Sequence, residues 1–505
     1  MKTYLGIELG STRIKAVAVD EDYRPVLYGS STWKSDYADG IWTYPMEKVW
    51  SGLRETLQPF KGKQIARAGI SGMMHGLLAF DEDWRLLAPF RTWQNTITGE
   101  AAEKLTALFN FNIPQRWSIA HLYQAVLNDE PYTDKIAHIT TLSGYVHYML
   151  TGVNVVGVGE ASGMFPIDST NCCFDRVMLD RFDMLAASQG FHRKLRDILP
   201  SVLVAGQAAG ILTAAGAELL DGALPVGMPF APPEGDAGTG MVATNAVAER
   251  TGNISAGTSI FTMVVLEAPI RHVYPEIDMV TTPAGRPVAM VHCNNGTNDM
   301  NMWSGILRDA VRLFGAEPDD GELFAHLYEV SLEGDADCGG VVVYNYLAGE
   351  GIIRLDEGRP MVIRRADSRF TLANFIRAQL YSTMATLKIG MELLSREGVQ
   401  IDSLSGHGGL FKTPLVGQKY MAAACNTSIT CMKTAGEGGP YGMALLAAYL
   451  EHSECKLEDF LRDHVFCGAE STTVSPDAAD VAGFEKYLSK YREGLAVERK
   501  AVECL

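Results

Sequence analysis

The chain writes one short pattern twice. Tyr4-Leu5-Gly6-Ile7-Glu8-Leu9-Gly10-Ser11-Thr12 leads into Ala16-Val17-Ala18-Val19, and Gly252-Asn253-Ile254-Ser255-Ala256-Gly257-Thr258-Ser259 leads into Phe261-Thr262-Met263-Val264-Val265. Each copy predicts a β-hairpin, because apolar strand-forming runs flank a turn of Gly and small hydroxyl residues. Gly lacks the Cβ that would block such a turn, so its backbone amides can approach an anion closely. Two phosphate-sized cradles, one per half, restrict the chain to two related halves and suggest a nucleoside triphosphate held between them.

Length agrees with that division. A chain of 505 residues exceeds what one core serves, so two domains of roughly 200–250 residues are expected. With 47% hydrophobic and 20% charged residues, both should be ordinary globular material. The formal charge of −17 argues against nucleic acid or an anionic membrane as principal partner. An anionic ligand must then be held by local backbone dipoles and a metal ion. The chain opens on strand pattern without an apolar leader, and Val202 to Leu220 is interrupted by Gln207, Thr213 and Glu218, so it predicts a packed helix or loop. Nine Cys without C-x-x-C spacing fit a reduced, cytoplasmic protein, with Cys172-Cys173 a chance pair.

Along the chain the pattern is α/β. Val49, Trp50, Leu53 and Leu57 predict a helix within Pro45 to Phe60, and Ala66 to Ile70 a strand. Helical periods recur over Ala101 to Leu108 and Leu142 to Leu150, the latter stopped by Gly152. Four Pro and two Gly crowd the run Pro225 to Asp236, and the domain boundary is placed just after it, giving 1–240 and 241–505. The second half predicts a long helix, Leu372 to Arg396, a strand ending at Ser405-Gly406-His407-Gly408-Gly409, and a helix starting after Gly438-Gly439-Pro440. The charged tail from Asp480 reads as a solvated terminal helix.

Several residues can carry chemistry. Glu8 beside a phosphate cradle would repel its ligand unless a divalent cation such as Mg²⁺ bridged carboxylate and phosphate; an exposed strand-end Glu is the alternative. Lys15 can neutralise phosphate or sit idle at a strand edge. Asp236 follows Gly235 and opens a small-residue run, so it suits a general base taking the proton of an attacking hydroxyl, or a plain helix N-cap. The loops at Gly408-Gly409-Leu410-Phe411 and Gly436 to Gly439 can present backbone to a purine ring. Met74-His75-Gly76 and Trp93-Gln94-Asn95 mix an aromatic with imidazole and amides. That mixture suits a sugar, against the commoner outcome of a packed Trp and a satisfied core His.

In this order the motifs resemble the FGGY family of carbohydrate kinases, of the actin, hexokinase and Hsp70 ATPase superfamily, over nearly the whole chain. Gly6 to Thr12 with Lys15 resembles its opening phosphate motif; Met74-His75-Gly76 its sugar motif; Tyr145 with Leu150-Thr151-Gly152 and Ala161-Ser162-Gly163 two further signatures. Gly235-Asp236 resembles the step supplying the general base, Gly257-Thr258-Ser259 the second phosphate turn, Tyr346 to Glu350 with Asp356 a further stretch, and Gly408-Gly409 through Leu415 the adenosine loop. Departures include Glu8 for Asp, Gln94-Asn95-Thr96-Ile97, Ala237, His121, Gly351-Ile352-Ile353 and Leu410-Phe411.

The resemblance implies two RNase H-like (actin-like ATPase) domains flanking a cleft, ATP with Mg²⁺ as cofactors, and a small sugar, xylulokinase- or ribulokinase-like, as substrate. Asp236 is then the catalytic base; Met74, His75, Trp93 and Asn95 bind sugar; Glu8 and Asp236 face the metal. Gly10, Ser11, Thr12, Lys15, Gly257, Thr258, Ser259, Gly408, Gly409 and Phe411 face the nucleotide, with Phe411 stacking on adenine or packing into the core. A ketopentose, D-xylulose or L-ribulose, is the expected sugar, with no nucleic-acid or membrane partner; a homodimer stays open. The competing readings are a catalytically silent sugar sensor and a nucleotide-gated binding protein on the same fold.

Overall fold

In a computed structural model describing residues 2–505, both repeated segments form hairpins, and each seeds a mixed sheet. In the first sheet β1 (Tyr4–Leu9), β2 (Arg13–Val19) and β3 (Pro25–Thr32) are antiparallel neighbours. Strands β4 (Arg67–Gly72) and β5 (Glu234–Gly235) extend it in parallel, in the order β5-β4-β1-β2-β3. The second sheet uses β6 (Thr251–Ala256), β7 (Ile260–Val265), β8 (Ile277–Thr281) and β9 (Pro287–Cys293) on its antiparallel side. Strands β10 (Ser403–His407), β11 (Ser428–Met432) and β12 (Ser471–Val474) complete the order β8-β9-β7-β6-β10-β11-β12. From each hairpin, antiparallel strands run outward on one side and parallel strands on the other, and β12 closes the second sheet antiparallel to β11. The duplication in sequence is thus a duplication of topology.

The helices follow their apolar periods. Met46–Leu57 buries Val49, Leu53 and Leu57, and Leu142–Thr151 ends on Gly152 at φ 74°, a left-handed stop that Gly adopts freely. Leu372–Arg396 runs as predicted, with the Thr371 side chain accepting from the Asn374 amide at its start.

Two expectations are corrected. The helix expected after Pro440 spans Gly438–Tyr449, because a proline in the first turn gives up an amide that has no helical partner there. The terminal helix Ala478–Cys504 is not simply solvated: Phe484, Tyr487, Leu488 and Tyr491, one helical stripe, are buried in the second core.

The Gly438–Tyr449 helix joins the halves. It crosses the first sheet against β1, where a Cβ at Gly6 would collide with the Pro440 carbonyl, and it touches the Asp236–Ala243 helix at Gly442, where a Cβ would strike the Thr239 carbonyl. One hydrophobic core accordingly contains Val17 and Met74 together with Met263, Val288 and Leu445. Val202 to Leu220 becomes strand Ser201–Leu203, a loop and helix Ala214–Leu219. Among the described residues no helix is long and apolar enough to cross a membrane. All nine cysteines are unpaired.

Candidate functional site

Both hairpin turns have their carbonyls held from behind. Trp33 Nε1 donates to Gly10 O at 2.6 Å and the Tyr44 hydroxyl to Ser11 O at 2.6 Å; Gly257 O accepts from the Thr297 amide at 2.9 Å, and Thr258 O from Gly296 at 2.8 Å. Among the described residues the amides of Ser11, Thr12, Thr258 and Ser259 donate to no protein acceptor. Free, accessible amides on pinned turns are what an anion cradle requires. Gly408, at φ 98°, lies so close to the end of β6 that a Cβ would collide with Ala256 O, which brings the Gly408-Gly409 loop beside the second turn. Phe411 lays its ring over Gly406 at the edge of the second core.

A cavity of about 340 Å³ opens between the halves. Glu8, Met74, His75, Trp93 and Asp236 line it from the first half, and Asn253, Ser255, Phe261, His292 and His407 from the second. The N-terminus of the Gly438–Tyr449 helix closes one side, packed so tightly that a Cβ at Gly439 would collide with the Glu8 carboxylate.

Asp236 is the first helical residue rather than the cap. The cap position is Gly235, which has no side chain, and Asp236 Oδ1 instead accepts from the Met74 amide at 3.2 Å. Burial pushes this carboxyl up to about 6, against the pull of the Met74 and Ala237 amides. Glu8 projects from β1 into the same cavity; burial lifts it to about 7, Lys15 opposes the shift, and the Asp236 charge adds to it. Lys15 Nζ stands 4.0 Å from Glu8 Oε2, and its side chain is half-buried. Two carboxyls that repel each other across a cavity fit Mg²⁺, which takes one or two carboxylates and completes its shell with water and phosphate oxygens.

His75 sits at φ 74°, a left-handed backbone that re-aims the chain after β4. Its Nδ1 donates to Gly163 O at 3.2 Å, within the Ala161-Ser162-Gly163 segment, leaving Nε2 as an acceptor. Burial and the nearby Arg116 guanidinium hold the imidazole neutral. Trp93 is 40% exposed and lines both this cavity and an adjoining one of about 850 Å³. Asn95 departs from expectation. Its Oδ1 accepts from the Trp42 amide at 2.8 Å and its Nδ2 donates to Trp42 O and Thr92 O, so this amide holds a loop together and faces only the adjoining cavity.

Sequence reasoning missed Arg116, Asp278 and His292. Arg116 lines both cavities and pairs with Asp278 on β8. Burial raises the Asp278 carboxyl while Arg116 pulls it back, and burial with Arg116 lowers His292 to about 4. Behind Asp236 lie Glu160 and Glu234, both raised to about 8 by burial. The Glu160 amide donates to Glu234 Oε2 at 2.9 Å, and Ser143 Oγ donates to Glu160 Oε1 at 3.0 Å.

Comparison with known proteins bears on the fold and family. The N-terminal domain of the FGGY family of carbohydrate kinases matches residues 3–242, and its C-terminal domain residues 252–451. A xylulose kinase of Haemophilus influenzae is 22% identical over 516 residues, covering 97% of this chain and 98% of that protein. One from Lactococcus lactis is 22% identical over 519 residues, with coverage of 98% and 96%. Among solved structures, a xyloylose kinase from Brucella ovis superposes with TM-score 0.80 at 19% identity, covering 97% and 98% of the two chains. A gluconate kinase from Lactobacillus acidophilus superposes with TM-score 0.81 at 17% identity, covering 98% of each. These likenesses establish the two-domain, actin-like ATPase fold.

Proposed function

The chain belongs to the FGGY family of carbohydrate kinases, and we propose that the sugar it phosphorylates is a ketopentose, D-xylulose or L-ribulose, with Asp236 as general base. The observation that carries this reading is the placement of Asp236: its carboxyl is tied to the amide of Met74, beside His75, in a cavity that both hairpins approach. The similarity to xylulose kinases supports a ketopentose.

A carboxylate near 6 is ionised at neutral pH yet basic enough to take a proton from a sugar hydroxyl as it attacks. His75 Nε2 accepts from a neighbouring hydroxyl, and Trp93 offers its face to sugar C–H groups. Mg²⁺–ATP supplies the phosphoryl group. Glu8 would hold the metal, the amides of Ser11, Thr12, Thr258 and Ser259 the phosphates, and Gly408-Gly409 the adenosine. Burial of the site between the halves limits the water that would otherwise accept the phosphoryl group. A homodimer and a cytoplasmic setting belong to the same reading.

Coupled ADP release tests it with D-xylulose, L-ribulose, D-ribulose, L-rhamnulose, L-fuculose, gluconate, glycerol and erythritol. Sugar-stimulated turnover with highest kcat/KM for a ketopentose is expected. Sugar binding without turnover would favour the silent sensor, and turnover indifferent to sugar the nucleotide-gated binder.

A further inference from the structure

Arg116 and Asp278 meet where the two cavities join. Arg116 immediately precedes the buried segment Trp117–Ser118, and its carbonyl accepts from the Gly76 amide at 3.0 Å, so it is anchored to the His75 loop. Asp278 comes from β8 in the second half. Both its oxygens are engaged: Oδ2 by Arg116 Nη2, and Oδ1 by Asn112 Nδ2 at 3.1 Å, which also donates to Ile277 O at 2.9 Å. The other guanidinium nitrogens of Arg116 donate to no protein acceptor among the described residues, and Arg116 lines the cavity that holds Asp236.

We propose that the Arg116–Asp278 pair is a specificity filter that admits uncharged sugars and rejects sugar acids at this cavity. The inference rests on the sugar-kinase reading above and concerns the part of the substrate that meets Arg116. A lone guanidinium there would form a bidentate pair with a substrate carboxylate. Asp278, which lines the adjoining cavity, already occupies that partner, so the donors left over suit hydroxyl and carbonyl oxygens, and a substrate carboxylate drawn to Arg116 meets the Asp278 charge behind it. Like charges brought together are strongly unfavourable. The two imidazoles beside Arg116, His75 and His292, are neutral and offer no compensating cation.

Asp278→Asn keeps the shape and an oxygen for Asn112 while removing the counter-charge. Arg116→Gln removes the cation and keeps Asp278. Calorimetric titration of the full chain with D-xylulose, L-ribulose and D-gluconate reads the filter without requiring turnover, and ATP binding and melting temperature confirm that each variant is folded. The wild type is expected to bind the better ketopentose at least about tenfold tighter than D-gluconate, and Asp278→Asn to shift that ratio toward gluconate by about tenfold or more. Arg116→Gln should bind gluconate no better than wild type. A ratio unchanged within about twofold in Asp278→Asn, a gain of gluconate binding in Arg116→Gln, or wild-type preference for gluconate overturns the filter. Ketopentose binding without phosphorylation would overturn the proposed reaction and leave the filter standing.

Discussion

The two hairpins share a topology and differ in what stands beside the turn. Counting back from Gly10 and Gly257, Glu8 corresponds to Ser255 and Gly6 to Asn253. Glu8 and Ser255 both line the cavity, yet only the first brings a charge, next to Asp236. At the other pair the first half has no side chain, which lets the Gly438–Tyr449 helix lie on β1, whereas Asn253 in the second half lines the cavity with a buried Oδ1 that has no partner. One fold written twice therefore carries its cavity carboxyl on the first copy alone, and the proposed acid–base and metal chemistry falls on that side. The second copy is left with neutral polar groups.

The largest way to break this asymmetry is Asp236→Asn. The amide cannot take the proton, so kcat should fall by about 10²–10⁴ while ATP affinity holds, because the phosphate amides are untouched. Equal loss of ATP binding, read by calorimetry, would place Asp236 among the nucleotide contacts instead. Next is the swap Glu8→Ser, which copies the second hairpin into the first. The Mg²⁺ concentration for half-maximal activity should rise by about tenfold or more, with a smaller change in sugar KM. Ser255→Ala should move either value less than about threefold. A Mg²⁺ titration indifferent to Glu8→Ser would remove the metal role from the first copy.

Gly6→Ala sharpens the second difference. Its Cβ has no room beneath the Pro440 carbonyl, so denaturant unfolding should report a loss of about 1–3 kcal/mol. Wild-type stability would mean the Gly438–Tyr449 helix does not rest on β1. The smallest effect belongs to Phe411→Ala. With its ring over Gly406, this variant should melt a few degrees lower and keep ATP KM within about twofold. A large rise in ATP KM would instead put the ring on adenine.

How much of this was legible depended on distance along the chain. The hairpins and the Leu372–Arg396 helix were readable because turn glycines, apolar period and a capping Thr371 lie within a few residues of one another. The terminal helix was misjudged because its charge is spread over the surface while Phe484, Tyr487, Leu488 and Tyr491 form a single buried stripe. Asp236, His75 and Glu8 were found through turn and glycine context, but Asn95, read as a sugar contact, is consumed by Trp42. Arg116 and Asp278 are 162 residues apart and carry no local signal; only the packing of the segment before the Ser118–Leu127 helix against β8 brings them together.

The central claim, that a buried carboxylate in the first half does the proton transfer, is tested most directly by the pH dependence of wild-type kcat/KM for the best ketopentose at saturating Mg²⁺. With Mg²⁺ bound at Glu8 as proposed, the other carboxyl lining the cavity is Asp236, which burial raises to about 6. The base works only when deprotonated, so kcat/KM should rise about tenfold per pH unit below that value and level off between about pH 7 and 8. A profile flat from about pH 5 to 8, or one that falls through that range, would contradict the account.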